Sequence, residues 1–310
     1  MEENIVRESN AEEIKPEEQQ LTGGVQKGWI LSILYALGLI ALMLGIQVTL
    51  GIAGAVVEMA WMLISSGGDT EQVMANYQEE VMNNGFLTTI SVIATLVTTT
   101  LFGLWYKLKY VKHYDRKQFC STMKEAFTVP KTVYFVLVAV TCYVLAINIV
   151  NVINFFSSES VDAYMQVAES LTSGNGVLSF LLIVVLAPIG EECLVRGLIQ
   201  RRLGKYFPII GVLVLETLFF GLMHANIVQA LYVIPLGAAT GYLSYRYKSV
   251  LPAILFHAFY NFTPRIIALL PETITNQDLT WYIAAAVLTV CAVVLWQPVM
   301  GKEQRYVDED

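Results

Sequence analysis

VLSFLLIVVLAPIGEECLVRGLIQRRL, Val177 to Leu203, decides the class of this protein. From Val177 to Ile189 there is no charge and no polar side chain except Ser179; then come Glu191, Glu192 and Arg196, and the stretch closes on Arg201 and Arg202. A helix needs about 20 apolar residues to cross the roughly 30 Å hydrocarbon core of a bilayer. An ionisable group at mid-bilayer costs about 2.5–3.5 kcal/mol on insertion scales, so charges inside such a span point to function.

The rest of the chain has the same character. Hydrophobic residues make up 55% of the 310, charged ones 15%, and the mean hydropathy is +0.57. That excludes a soluble globular domain and fits an all-α, polytopic integral membrane protein. Apolar blocks at about 29–50, 86–106, 133–155, 177–200, 208–225, 227–245, 250–270 and 280–299 predict about eight transmembrane helices. Gly51 to Ile64 is also apolar, and Glu58 within it favours an extension of the first span that leaves the membrane over a second leg of a hairpin.

Lys and Arg accumulate on the cytoplasmic side of short loops. Placing the N-terminal tail, the 107–132 loop, the turns after spans four and six, and the C-terminal tail in the cytoplasm puts 17 of the 19 basic residues on one side. The long loops on the other side, GGDTEQVMANYQEEVMNNG and SSESVDAYMQVAESLTSGNG, contain no Lys or Arg. Both termini are therefore expected in the cytoplasm. Residues 1–28 read as a disordered acidic tail without the apolar core of a secretory signal, 29–300 as the membrane domain with its catalytic core at about 177–265, and 301–310 as a second cytoplasmic tail. The net charge of −7 comes from the acidic tail and the outer loops and gives no sign of nucleic-acid binding. Cys142, Cys193 and Cys291 lie in spans and Cys120 in the basic loop, which is no disulfide framework. The basic 107–131 loop fits a contact with anionic headgroups of the inner leaflet.

Polar residues inside the membrane concentrate in spans four to seven. Glu192 and Arg196 are four apart, in the favourable order for an ion pair on one helix face. Glu191 points about 100° away, so one carboxylate is neutralised by Arg196 while the other faces a cavity. Pro188 removes one backbone hydrogen bond just before the pair. Phe220 and His224 stand one turn apart, as do His257 and Asn261. Only three histidines exist in the chain, and the third, His113, sits in a cationic loop as a solvated side chain.

These motifs, EExxxRG at Glu191 to Gly197, FxxxH at Phe220 to His224 and HxxxN at His257 to Asn261, occur in this order on successive spans. The set resembles the CPBP family of CAAX proteases and bacteriocin-processing enzymes, also called Abi proteins, over about residues 177–265. Leu194 and Val195 stand where that family often has an aromatic. The resemblance implies an intramembrane endopeptidase of the plasma membrane acting on lipidated CAAX-type or leader-bearing peptides, with ties to bacteriocin immunity. Peptide hydrolysis needs a base for water and donors for the oxyanion. Glu191 is the expected base, with His224 sharing its water. His257 and Asn261 are the expected oxyanion donors, and Glu192 with Arg196 the supporting pair.

No cofactor is expected in this reading. Zinc held by Glu191, His224 and His257 is the minority alternative, since one carboxylate and two imidazoles make a reasonable catalytic set, although no HExxH is present. The expected partners are a peptide or protein substrate at the membrane and membrane lipids. Rival readings are a non-catalytic scaffold or immunity factor of the same family, and a proton-coupled transporter using Glu191, Glu192 and Glu216; the absence of an internal repeat counts against the transporter. Glu216 is expected to pair with a neighbouring span in preference to lining the cavity. Straight helices at about 1.5 Å per residue would put Glu191 about 18 Å, His224 about 24 Å and His257 about 10 Å from the cytoplasmic surface. Convergence thus requires tilted, kinked or displaced helices.

Overall fold

The structure is a computed structural model that describes residues 16–83, 85–111, 116–172, 175–271, 273 and 278–300. Every described element is helical: α1 (Pro16–Ser65), α2 (Thr70–Asn83), α3 (Phe86–Tyr106, continued by a π-wound turn Lys107–Val111), α4 (Arg116–Ala126), α5 (Val129–Phe156) and α6 (Ser158–Thr172). There follow α7 (Gly176–Leu203), α8 (Ile209–Leu222), α9 (Ile227–Tyr232), α10 (Ile234–Tyr247), α11 (Leu251–Ile267) and α12 (Asp278–Met300).

Among the described residues, five helices are long and apolar enough to cross a membrane: Lys27–Ser65, Phe86–Val111, Val129–Phe156, Gly176–Leu203 and Leu279–Trp296. The other three apolar blocks form helices of 14, 14 and 17 residues, shorter than a bilayer is thick. Their shortness has a local cause. The block at 208–225 stops at Leu222, where Ala225 adopts a left-handed φ of 51°. The block at 227–245 is split at Val233, just before Pro235. Irregular backbone at membrane depth is tolerated where protein buries it or where it lines a cavity.

Helix α1 bears on two boundaries of the sequence reading. Gly51 to Ile64 continues α1 without a break, as Glu58 suggested. Helix α1 begins at Pro16, so residues 16–28 of the expected tail are helical. Residues 1–15 and 301–310, and His113, lie outside the described residues.

Helix α7 is the axis of the fold. Leu194, Val195, Arg196, Leu198, Ile199 and Leu203 are all fully buried. Around them pack Ala36, Leu39 and Ile40 of α1, Phe102 and Tyr106 of α3, Val212 and Phe220 of α8 and Leu236 of α10. Helix α12 packs along α5 on the opposite flank. Close approach of α3 to α7 depends on two glycines: a Cβ on Gly197 would stand 2.8 Å from the Tyr106 ring, and one on Gly190 would collide with Thr99. Gly197→Val should therefore force the helices apart and cost about 1–3 kcal/mol, the usual range for overpacking; a lowered unfolding temperature in detergent is the readout, and an unchanged one would refute the tight packing.

Candidate active site

Two stretches of α7 are π-wound, Leu181–Leu186 and Cys193–Gln200, and they bracket Pro188 and the two glutamates. Such bulges inside α-helices occur frequently at functional sites. In the first, the N–H of Ala187 bonds to Leu182 O, five residues back. The next N–H in that register would serve Ile183 O, but Pro188 has none. Asn261 on α11 takes its place, donating from Nδ2 to Ile183 O at 2.8 Å. The proline thus creates the acceptor that orients Asn261.

Glu192 is fully buried and held by two partners, one on its own helix and one on α11. Arg196 Nη1 lies 3.3 Å from each of its carboxylate oxygens. His257 Nδ1 donates to Glu192 Oε1 at 2.8 Å. Arg196, also fully buried, donates from Nη2 to Gly237 O at 2.7 Å and lies 4.6 Å over the Phe220 ring. A buried guanidinium is tolerable only with this degree of pairing.

Glu191 turns the other way. Its side chain is 20% exposed, and Oε2 stands 3.9 Å from both His224 Nε2 and His257 Nε2. His224 is aimed by its Nδ1, which donates to Phe220 O at 2.7 Å; a carbonyl only accepts, so Nδ1 carries the hydrogen and Nε2 of the neutral ring offers a lone pair. Phe220 meets the edges of both imidazoles, with centroids 5.2 Å from His224 and 5.7 Å from His257. Gaps of 3.9 Å are too long for direct hydrogen bonds and suit a bridging water.

The three groups line one cavity of about 650 Å³, together with α1, α3, α6, the first half of α7, α9 and α11. Its wall holds Ser91, Thr95, Thr98 and Thr99 on α3 and the tyrosine pair Tyr164 and Tyr232, whose hydroxyls are 2.8 Å apart. No Lys or Arg is among its described lining residues.

All six residues singled out from the sequence meet here. The straight-helix depths do not hold, because α8 ends short of His224 and α7 is wound unevenly, and the three chemical groups converge. Asn261 lines the cavity with one of its two amide hydrogens committed to Ile183 O. Glu216 does not join them: it is fully buried against Gly241, and the polar groups that face it from the neighbouring span are Arg196 and Gln200 of α7. Sequence reasoning missed Tyr164 and Tyr232, which carry no motif spacing, and saw Phe220 only as part of FxxxH.

Residues 173–263 match the family model described as Type II CAAX prenyl endopeptidase Rce1-like. This segment belongs to the CAAX protease family. No curated protein and no solved structure matches the chain. The CAAX protease segment takes in α7 to α11 up to Thr263 and contains all six site residues. It excludes α1, α3 and α6, which supply much of the cavity wall. Within the CAAX protease segment, Leu194 and Val195 are fully buried.

The residues as placed do not fit zinc. Among the described residues, no group of three or more His, Cys, Asp or Glu side chains is spaced to hold a metal. Ligand atoms on a tetrahedral zinc with bonds of about 2.0–2.1 Å stand about 3.3 Å apart, against 3.9 Å for both Glu191–histidine pairs.

Proposed function

We propose that this protein is an intramembrane endopeptidase of the plasma membrane with Glu191 as general base. The observation that carries this reading is the convergence of Glu191 Oε2 with two imidazole Nε2 atoms at 3.9 Å inside a cavity large enough for a peptide segment. A water in that gap donates to Glu191 and to the lone pair of His224 Nε2, which leaves its oxygen free to attack the scissile carbonyl. The oxyanion is met by the second Nδ2 hydrogen of Asn261 and by His257. His257 donates from Nε2 when it carries both ring protons, and its Nδ1 bond to Glu192 fixes the ring with Nε2 on the Glu191 side. Arg196 holds Glu192 in place for this task.

The cavity lining also bears on the substrate. A free C-terminal carboxylate such as a CAAX peptide presents would meet Glu191 and no cation. That favours leader-bearing peptides, cut within the chain, over C-terminal CAAX motifs.

The test is cleavage of leader-bearing and lipidated peptides by the detergent-purified protein, with and without a chelator. Cleavage should survive chelation, and His224→Ala should slow it by about 10²–10⁴, the usual worth of a positioned proton acceptor. Loss on chelation would replace the glutamate mechanism by a metal one. Proton-coupled flux in proteoliposomes without any cleavage would replace the peptidase by a transporter.

A further inference from the structure

The ends of the helices sort into two sets. Trp29 of α1 stacks on Phe207 at 5.7 Å, and Lys109 at the end of α3 lies over Tyr35. Arg201 at the end of α7 lies over Tyr106 and Tyr110 and donates to Lys248 O. Lys131 at the start of α5 lies over Tyr247, and Arg246 donates to Met300 O. These contacts tie the start of α1, α5 and α8 and the end of α3, α7, α10 and α12 into one basic, aromatic collar.

The opposite end is held by neutral hydrogen bonds and by one cation, Arg265, lying over the Phe180 ring. Thr88 Oγ1 donates to Ser170 O and Leu171 O, Ser179 Oγ donates to Leu171 O, and Asn148 donates to Trp281 O. Arg265 is the only Lys or Arg in the described segments of that end. The cavity lies in this half. It is bordered by Met43 to Gly51 of α1, Leu87 to Thr99 of α3, the end of α6, Leu182 to Glu191 of α7 and the start of α9. Toward the collar it is closed by the Glu192–Arg196 pair, by Gln200 donating to Gly241 O, and by the fully buried Leu194, Leu198, Ile199 and Leu203.

Basic residues face the cytoplasm. We infer that the cavity is entered from the extracytoplasmic face of the membrane, so that the substrate is a peptide or a juxtamembrane segment presented outside the cell and not a cytosolic C-terminus. For the word substrate this rests on the peptidase reading; the side of entry does not. The wall on the entry side carries Tyr164, Val167, Thr172, Asn226 and Gln229. It offers hydroxyls and amides to a peptide backbone and no cation to a terminal carboxylate.

Native Cys120 on α4 is exposed and belongs to the basic side, which makes it an internal marker for the opposite face. With the exposed Cys291 changed to Ser, Ser91→Cys places a near-isosteric thiol in the cavity wall and Val167→Cys one on the exposed face of α6. Intact cells are treated with a membrane-impermeant cationic methanethiosulfonate, and free thiol is followed by mass. Loss of the free thiol at positions 91 and 167 in intact cells, with Cys120 reacting only after permeabilisation, is the expected result. Any other pattern overturns the inference, including reaction of Cys120 from outside or protection of position 91 while position 167 reacts. The expected pattern in a protein that cleaves no peptide would overturn the peptidase reading alone.

Discussion

Glu191→Gln should leave a folded protein that no longer cleaves peptides. The amide is isosteric with the carboxyl, and the Glu191 side chain is 20% exposed with no direct hydrogen bond to either histidine, so the fold does not depend on its charge. Chemistry does depend on it. An amide cannot accept the proton of a nucleophilic water, and removing a positioned base costs about 10²–10⁴ in rate. His224 cannot substitute, because its Nδ1 is committed to Phe220 O and its Nε2 reaches the same water only as the second acceptor. The comparison is initial cleavage rate against monodisperse yield on gel filtration. Full activity in the variant would remove Glu191 from the mechanism; collapse of the yield would make it a structural residue.

The second large effect concerns Arg196. Arg196→Met leaves Glu192 fully buried beside a neutral side chain, and breaking a buried ion pair in this way costs about 3–5 kcal/mol. The loss extends to Gly237 O and to the face of Phe220, both of which Arg196 serves. Folded yield should fall sharply. Glu192→Gln combined with Arg196→Met should recover most of it, since replacing both partners of a buried pair is often close to neutral. Cleavage should not return, because His257 Nδ1 then faces an amide in place of an anion. Recovery of both yield and cleavage by the double variant would show that the pair only packs helices together.

Much of the site was legible because hydrocarbon is a severe filter. Glu191, Glu192, Arg196, His224, His257 and Asn261 stand out in apolar runs, and the i, i+4 spacing separates the face of Glu192 from that of Glu191 before any coordinates are known. The number of long spans was not legible. Composition marks which residues avoid water, but α8, α10 and α11 are surrounded by protein as well as lipid, and a helix so placed is released from the length rule. Ala225, with its left-handed backbone, carries no glycine or proline to announce the break; Asn226, which caps α9 by accepting from Gln229 N, did and was passed over. Pro188 was readable as a lost hydrogen bond. That the orphaned carbonyl is Ile183 O, and that Asn261 answers it, depends on π winding, which has no sequence signature.

Helix α6 gives the molecule an uneven mechanics. Helix α7 is wedged by glycine contacts and the Glu192–Arg196 pair, whereas α6 is fastened along the cavity by hydroxyls: Thr88 and Ser179 on its carbonyls and Tyr164 on Tyr232. Neutral hydrogen bonds of this kind contribute about 0.5–1.5 kcal/mol each, and an incoming polypeptide backbone presents the same donors and acceptors. A peptide strand entering the cavity would therefore exchange like for like at this wall, whereas the α7 side offers it no such trade.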